Sequence, residues 1–125
     1  MKKHTLLYLS FLVISSPNIQ LVYAGDVVNG NHVFDVYCSG CHSIKEGKNK
    51  LGPSLWKIVG RRPATISDYN YSEAMRNNNI VWTEDRISNY ITNPQNLVPG
   101  VKMAFSGLED AQKRADIIEF LSTLH

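Results

Sequence analysis

Hydrophobic positions along this chain recur mostly at helical spacing, and no segment alternates apolar and polar residues long enough to read as a strand. Val27, Gly30, Val33, Phe34 and Tyr37 share that spacing, and Asp26 stands where it can cap a helix running towards Tyr37. From Ser43 to Ser67, glycines, prolines and basic residues break any long period, with turns at Gly52-Pro53 and at Gly60. Ser72 can cap a short helical turn through Met75, which the Asn77-Asn78-Asn79 run ends. Thr83 opens another helix, with Glu84 and Asp85 in the first turn, where negative charge suits the helix dipole; it ends before Pro94. A last helix runs from about Glu109 to Leu124, with Ile117, Ile118, Leu121 and Leu124 on its apolar side. The pattern predicts an all-α fold of several helices joined by long loops, without repeats or low-complexity tracts.

The N-terminus follows a different pattern. Leu6 to Ile14 is apolar except for Ser10, follows Lys2 and Lys3, and gives way to Pro17 and a polar stretch ending Val22-Tyr23-Ala24. A membrane span takes about 20 apolar residues, so this shorter run reads first as a cleavable export signal, with an uncleaved leader that tethers the protein as the alternative. Residues 1–24 are expected to be removed after Ala24, leaving one domain over residues 25–125.

Removal of the leader changes the charge. The chain has 13 Lys+Arg against 11 Asp+Glu, formally +2, and loss of Lys2 and Lys3 brings the two counts level. A neutral body gives no sign of a nucleic-acid patch. About a hundred residues make one small domain with limited apolar surface to bury, so a large apolar cofactor would add substantially to its core.

The candidate chemistry lies in Cys38-Ser39-Gly40-Cys41-His42, which contains both cysteines of the chain. C-x-x-C followed by histidine is the spacing of covalent c-type haem attachment: the two thiols add to the vinyl groups of one haem and His42 becomes the proximal iron ligand. The competing readings are a redox dithiol, half of a zinc site and a structural disulfide. A zinc site usually needs four N/S ligands, and the chain has no second cysteine pair. A redox C-x-x-C belongs beside the strands of a sheet, which this region lacks. On the residues alone, the second axial ligand is open among Met75, Met103 and the remaining histidines, His32 and His125 in the body and His4 in the leader.

From Gly25 onward the chain resembles the small class I c-type cytochromes, especially the compact mitochondrial type. The resemblance rests on Gly30 and Phe34, the Cys38–His42 motif, Gly52-Pro53-Ser54-Leu55, Gly60-Arg61, Tyr71, Trp82, Tyr90 and Asn93-Pro94. It continues through Pro99 to Phe105 and Asp116 to Leu121. It implies one haem c bound through Cys38 and Cys41, with His42 and Met103 as iron ligands. It also implies that the Pro53 carbonyl accepts the His42 N–H, that Arg61, Tyr71 and Trp82 hold a buried propionate, and that Tyr90 lies beside the methionine sulfur. Gly30 and Phe34 would pack the first helix against Ile117 and Phe120 of the last. The implied function is electron transport by a monomer that exchanges electrons with redox complexes such as a quinol–cytochrome c reductase and a terminal oxidase, without stable membrane insertion. A leader like residues 1–24 is not a mitochondrial feature, so the expected place of work is a bacterial periplasm.

The departures matter as well. Val101 stands where the family commonly has threonine, and Met75 where it commonly has asparagine, which predicts a drier crevice. Glu109, Asp110, Gln95 and Asn96 occupy places where basic relatives carry lysines beside the haem edge. The alternative to an electron carrier is a haem enzyme or gas sensor in which Met103 does not ligate and the sixth position stays open.

Overall fold

The computed structural model describes residues 1, 12–17, 19, 21 and 23–125. Residues 2–11, 18, 20 and 22 of the expected leader, Lys2, Lys3 and Val22 among them, lie outside the described residues. Among those described there are five helices and no strand: α1 (Val27–Tyr37), α2 (Glu73–Arg76), α3 (Glu84–Thr92), α4 (Pro94–Leu97) and α5 (Ala111–Ser122). No described helix is long and apolar enough to cross a membrane.

Each helix begins where a short polar side chain can satisfy a free N–H of the first turn. Asp26 accepts from Asn29, Ser72 from Met75, Thr83 from Arg86 and Asp110 from Lys113. The sequence expectation missed α4, which follows α3 directly. Asn93 closes α3 and caps α4, and Pro94 occupies the first turn, where its missing N–H costs nothing.

The framework is the contact between α1 and α5. Gly30 is buried there, and a Cβ on it would run into the Asp116 carbonyl oxygen and approach Phe120 Cβ at 2.7 Å. The absent side chain lets the two backbones touch. Phe34 and Phe120 pack with ring centroids 5.8 Å apart. Val27 and Tyr37, expected on the buried side of α1, are 39% and 40% exposed, so the buried stripe narrows to Gly30, Val33 and Phe34. Ile118 is likewise only partly buried, and Asp116 takes an inward place on α5 instead.

Asp116 is the most enclosed charged group of the core, at 1% exposure. Its carboxylate accepts from the Asp26 N–H (2.9 Å), Gln112 Nε2 (2.9 Å) and Asn29 Nδ2. Burial pushes its pKa up, but these three donors outweigh burial and hold it below the usual carboxylate range. The packed body begins next to this network: a Cβ on Gly25 would collide with the Ala115 carbonyl.

Elsewhere the chain is loop. The segment after α4 returns to α3 at Gly107, whose φ of 121° is available to glycine, and the Leu108 N–H donates to Ile91 O at 2.7 Å.

Candidate cofactor site

At the end of α1 the backbone continues as turns. The Cys38 N–H donates to Phe34 O (2.8 Å), and the Cys41 and His42 N–H groups both donate to Cys38 O (3.0 and 2.9 Å). These bonds bring both thiols and the imidazole to one cavity. Burial first, and the neighbouring Cys41 second, push the Cys38 thiol up to about 11. A catalytic dithiol needs the opposite shift, towards thiolate, so this pair is poorly suited to disulfide exchange.

His42 is held by the turn after it. Its Nδ1 lies 2.7 Å from Pro53 O. A carbonyl can only accept, so Nδ1 carries the proton and Nε2 keeps its lone pair. Burial lowers the His42 pKa most, the Pro53 contact opposes it, and Arg61 and Lys50 lower it further. The ring is therefore neutral, the form that binds a metal. Gly52 makes room for it, since a Cβ there would lie 2.7 Å from Nδ1 and 2.9 Å from Nε2.

The cavity is about 440 Å³, within the range of small-molecule sites. All nine residues singled out by sequence line it: Cys38, Cys41, His42, Pro53, Arg61, Tyr71, Trp82, Tyr90 and Met103. Met75 and Val101 line it too and are buried, so the two apolar departures face the cavity, as a drier crevice requires. Trp82 and Tyr90 pack with centroids 4.9 Å apart, and burial pushes the Tyr90 phenol up to about 12, keeping it a proton donor.

Arg61 donates to Trp56 O and Ser54 O, both at 2.9 Å. Its pKa is lowered by burial and supported by Tyr71, yet a guanidinium stays charged. Among the described residues, the charged side chains lining the cavity are Arg61, Arg62 and Lys102, all cationic, and no carboxylate lines it. An apolar body with anionic arms fits such a lining. Two thiols, a neutral imidazole and a thioether complete a donor set suited to a covalently held haem.

Sequence reasoning treated Gln95 only as a missing lysine. Its Nε2 donates to Val101 O (2.7 Å) and its Oε1 accepts from the Gly100 N–H (3.2 Å), so it braces the loop carrying Met103. The signal was Asn93-Pro94, which opens α4 and aims Gln95 at that loop. Tyr69, also not singled out, lines the cavity and donates to Leu51 O at 2.9 Å.

The family model that matches is described as Cytochrome c and covers residues 27–125. A cytochrome c2 from Rhodopila globiformis is 51% identical over 100 residues, 80% of this chain and 94% of that protein. A cytochrome c from Gibberella zeae is 39% identical over 98 residues, 78% of this chain and 92% of the relative. A protein named cytochrome c-type cyt cy from Rhodobacter capsulatus is 43% identical over 100 residues, 80% of this chain but 50% of its own length.

Proposed function

The chain belongs to the cytochrome c family, and from that membership we propose that it is an exported one-electron carrier with a His42/Met103-ligated haem. It carries one haem c, held covalently, and is an electron carrier, not an enzyme. The iron supplies a reversible one-electron change, and the protein fixes the ligands and excludes water around it. The observation that carries the ligand reading is the joint lining of one apolar cavity by Cys38, Cys41, neutral His42 and Met103.

Each residue has a defined task in this reading. Cys38 and Cys41 form the two thioethers, and Pro53 fixes the imidazole by accepting from Nδ1. Met103 would supply a thioether as the second iron ligand, a donor that favours ferrous iron and raises the potential. Arg61, Tyr71 and Trp82 offer donors to a buried propionate, which would be costly to bury unpaired. Tyr90 stays protonated and lines the same cavity as Met103, so its hydroxyl can serve as a donor there.

Residues 1–24 act in this reading as a signal cleaved after Ala24, and the carrier works in the periplasm between membrane-bound or soluble redox complexes. One fact supports it: Leu12, Val13 and Ile14 stand 86–90% exposed, whereas contacts with α5 are made from Ala24 and Gly25 onward, where Gln112 Nε2 donates to Ala24 O at 2.8 Å.

The deciding experiment compares wild type with Met103→Ala. The wild-type ferric protein should show the weak near-infrared iron–methionine band, and the variant should lose it, fall in potential and bind carbon monoxide readily when reduced. High-spin features and rapid carbon monoxide binding in wild type would mean that Met103 does not ligate. N-terminal sequencing of the exported protein tests cleavage after Ala24.

A further inference from the structure

Three loops meet at Tyr69. Its hydroxyl donates to Leu51 O at 2.9 Å, one residue before the Gly52-Pro53 turn that holds His42. Its ring lies 5.1 Å from Lys102 Nζ, which also donates to Asn70 O, and Lys102 precedes Met103. The Tyr71 ring packs edge-on against it at 4.8 Å. Leu51, Tyr69 and Lys102 all line the cavity, and among the described residues no helix pairs with another across this side: the helix contacts are α1 with α5 and α3 with α5 and α4.

We propose that Tyr69 is a positioning residue that clasps the proximal loop to the Met103 loop and so sets how often the sixth coordination position opens. This rests on Met103 being the second ligand. The two arms of the clasp differ in chemistry. Towards Leu51 it is a hydrogen bond from the phenol, and towards Lys102 it is a cation over a ring face, assisted by the Asn70 carbonyl. A phenylalanine keeps the second arm and loses the first, and a leucine loses both. Lys102→Gln removes the cation and leaves the Leu51 bond intact. Tyr69 is only partly buried, so none of the three variants removes a piece of the core.

The test measures amide hydrogen exchange of the mature, haem-loaded protein together with imidazole binding to its ferric form. Tyr69→Leu should speed exchange across residues 100–105 roughly tenfold and tighten imidazole binding by a similar factor, as loss of two such contacts implies. Tyr69→Phe should speed exchange mainly across residues 50–52, and Lys102→Gln mainly across 100–105, each by roughly threefold. Exchange in α1 and α5 should stay unchanged in all three. Equal exchange in wild type and Tyr69→Leu at residues 100–105, or acceleration spread evenly over α1 and α5, would overturn the clasp. The wild-type near-infrared band judges Met103 ligation separately, because exchange reports the loop whether or not the sulfur is bound.

Discussion

Where α1 meets α5, backbone lies against backbone at Gly30, an aromatic pair fills the flank, and a buried carboxylate is satisfied by three donors. Around the cavity, by contrast, the loops that complete the wall beside α3 and α5 are tied by single side chains: Tyr69 to Leu51, Lys102 to Asn70, Gln95 to Val101, and Asn49 to Asp68 at 3.1 Å. The first region is complete within the polypeptide. In the second, apolar side chains such as Met75, Ile58, Val101 and Leu108 turn towards a space that only the cofactor fills. The small domain thus divides its labour: the helix pair gives the fold a fixed frame, and the loops give the haem an environment that single substitutions can tune.

The sharpest way to break this comparison uses two glycines. Gly30→Val should destabilise the protein by about 4 kcal/mol or more, because the side chain meets immovable backbone. Gly40→Ala, between the cysteines, meets nothing within 4 Å and should stay within about 0.5 kcal/mol. Denaturant titration of the two haem-loaded variants checks both, and comparable losses would mean that the frame is no stiffer than the walls.

Next in size is Met75→Ala, expected to cost about 3 kcal/mol by opening a void in the cavity wall. Its near-infrared band should persist, unlike that of Met103→Ala. If the two methionine variants exchange these phenotypes, the ligand assignment is wrong.

The carboxylate of the frame comes third. Asp116→Asn should cost about 2 kcal/mol at neutral pH, since hydrogen bonds to a charged group are lost or weakened. The folded pKa of Asp116 lies below its unfolded value of about 3.9. Its contribution is therefore fully present above that unfolded value and disappears as pH falls through the lower folded one. The difference between wild type and variant should be flat from about pH 5 to 7 and shrink below about pH 4. A difference that grows on acidification would contradict the assignment.

The smallest effect concerns the walls from outside. Arg62 and Lys102 line the cavity, yet Glu109 and Asp110 follow closely in the chain and residues 25–125 are formally neutral. The rate of electron transfer with a redox partner should fall less than about tenfold from low to physiological ionic strength. Stopped-flow kinetics with a steeper fall would reveal a focused basic patch.

The same division governs what could be read from sequence. Caps at Asp26, Ser72 and Thr83 announced three helices, because a cap is a local interaction written in adjacent residues. The attachment motif was legible for a similar reason: its spacing is its chemistry. Met103 was not, since periodicity treats it like Met75; only the resemblance singled it out, and both line the same cavity. Asp116 stayed hidden because its three partners lie in Asp26, Asn29 and Gln112, and no pattern on α5 alone reveals a donor 90 residues away. Tyr69 and Gln95 escaped for a related reason, as single bonds from a side chain to a loop backbone have no period. Pro94 was read as a stop, and its second meaning as a first helical residue was overlooked.

The Asp26–Asp116 bond joins residues 90 positions apart, so the start of α1 is tied to the middle of α5. Folding must close almost the whole chain before its best-packed contact can form, although the entropy of closing a loop grows only with the logarithm of its length. The body is in this respect nearly a ring. A linker from His125 back to Gly25, with new ends opened at the exposed Gly47 turn, would make α5 and α1 neighbours in sequence. The slowest encounter in assembling the frame would then become a local one.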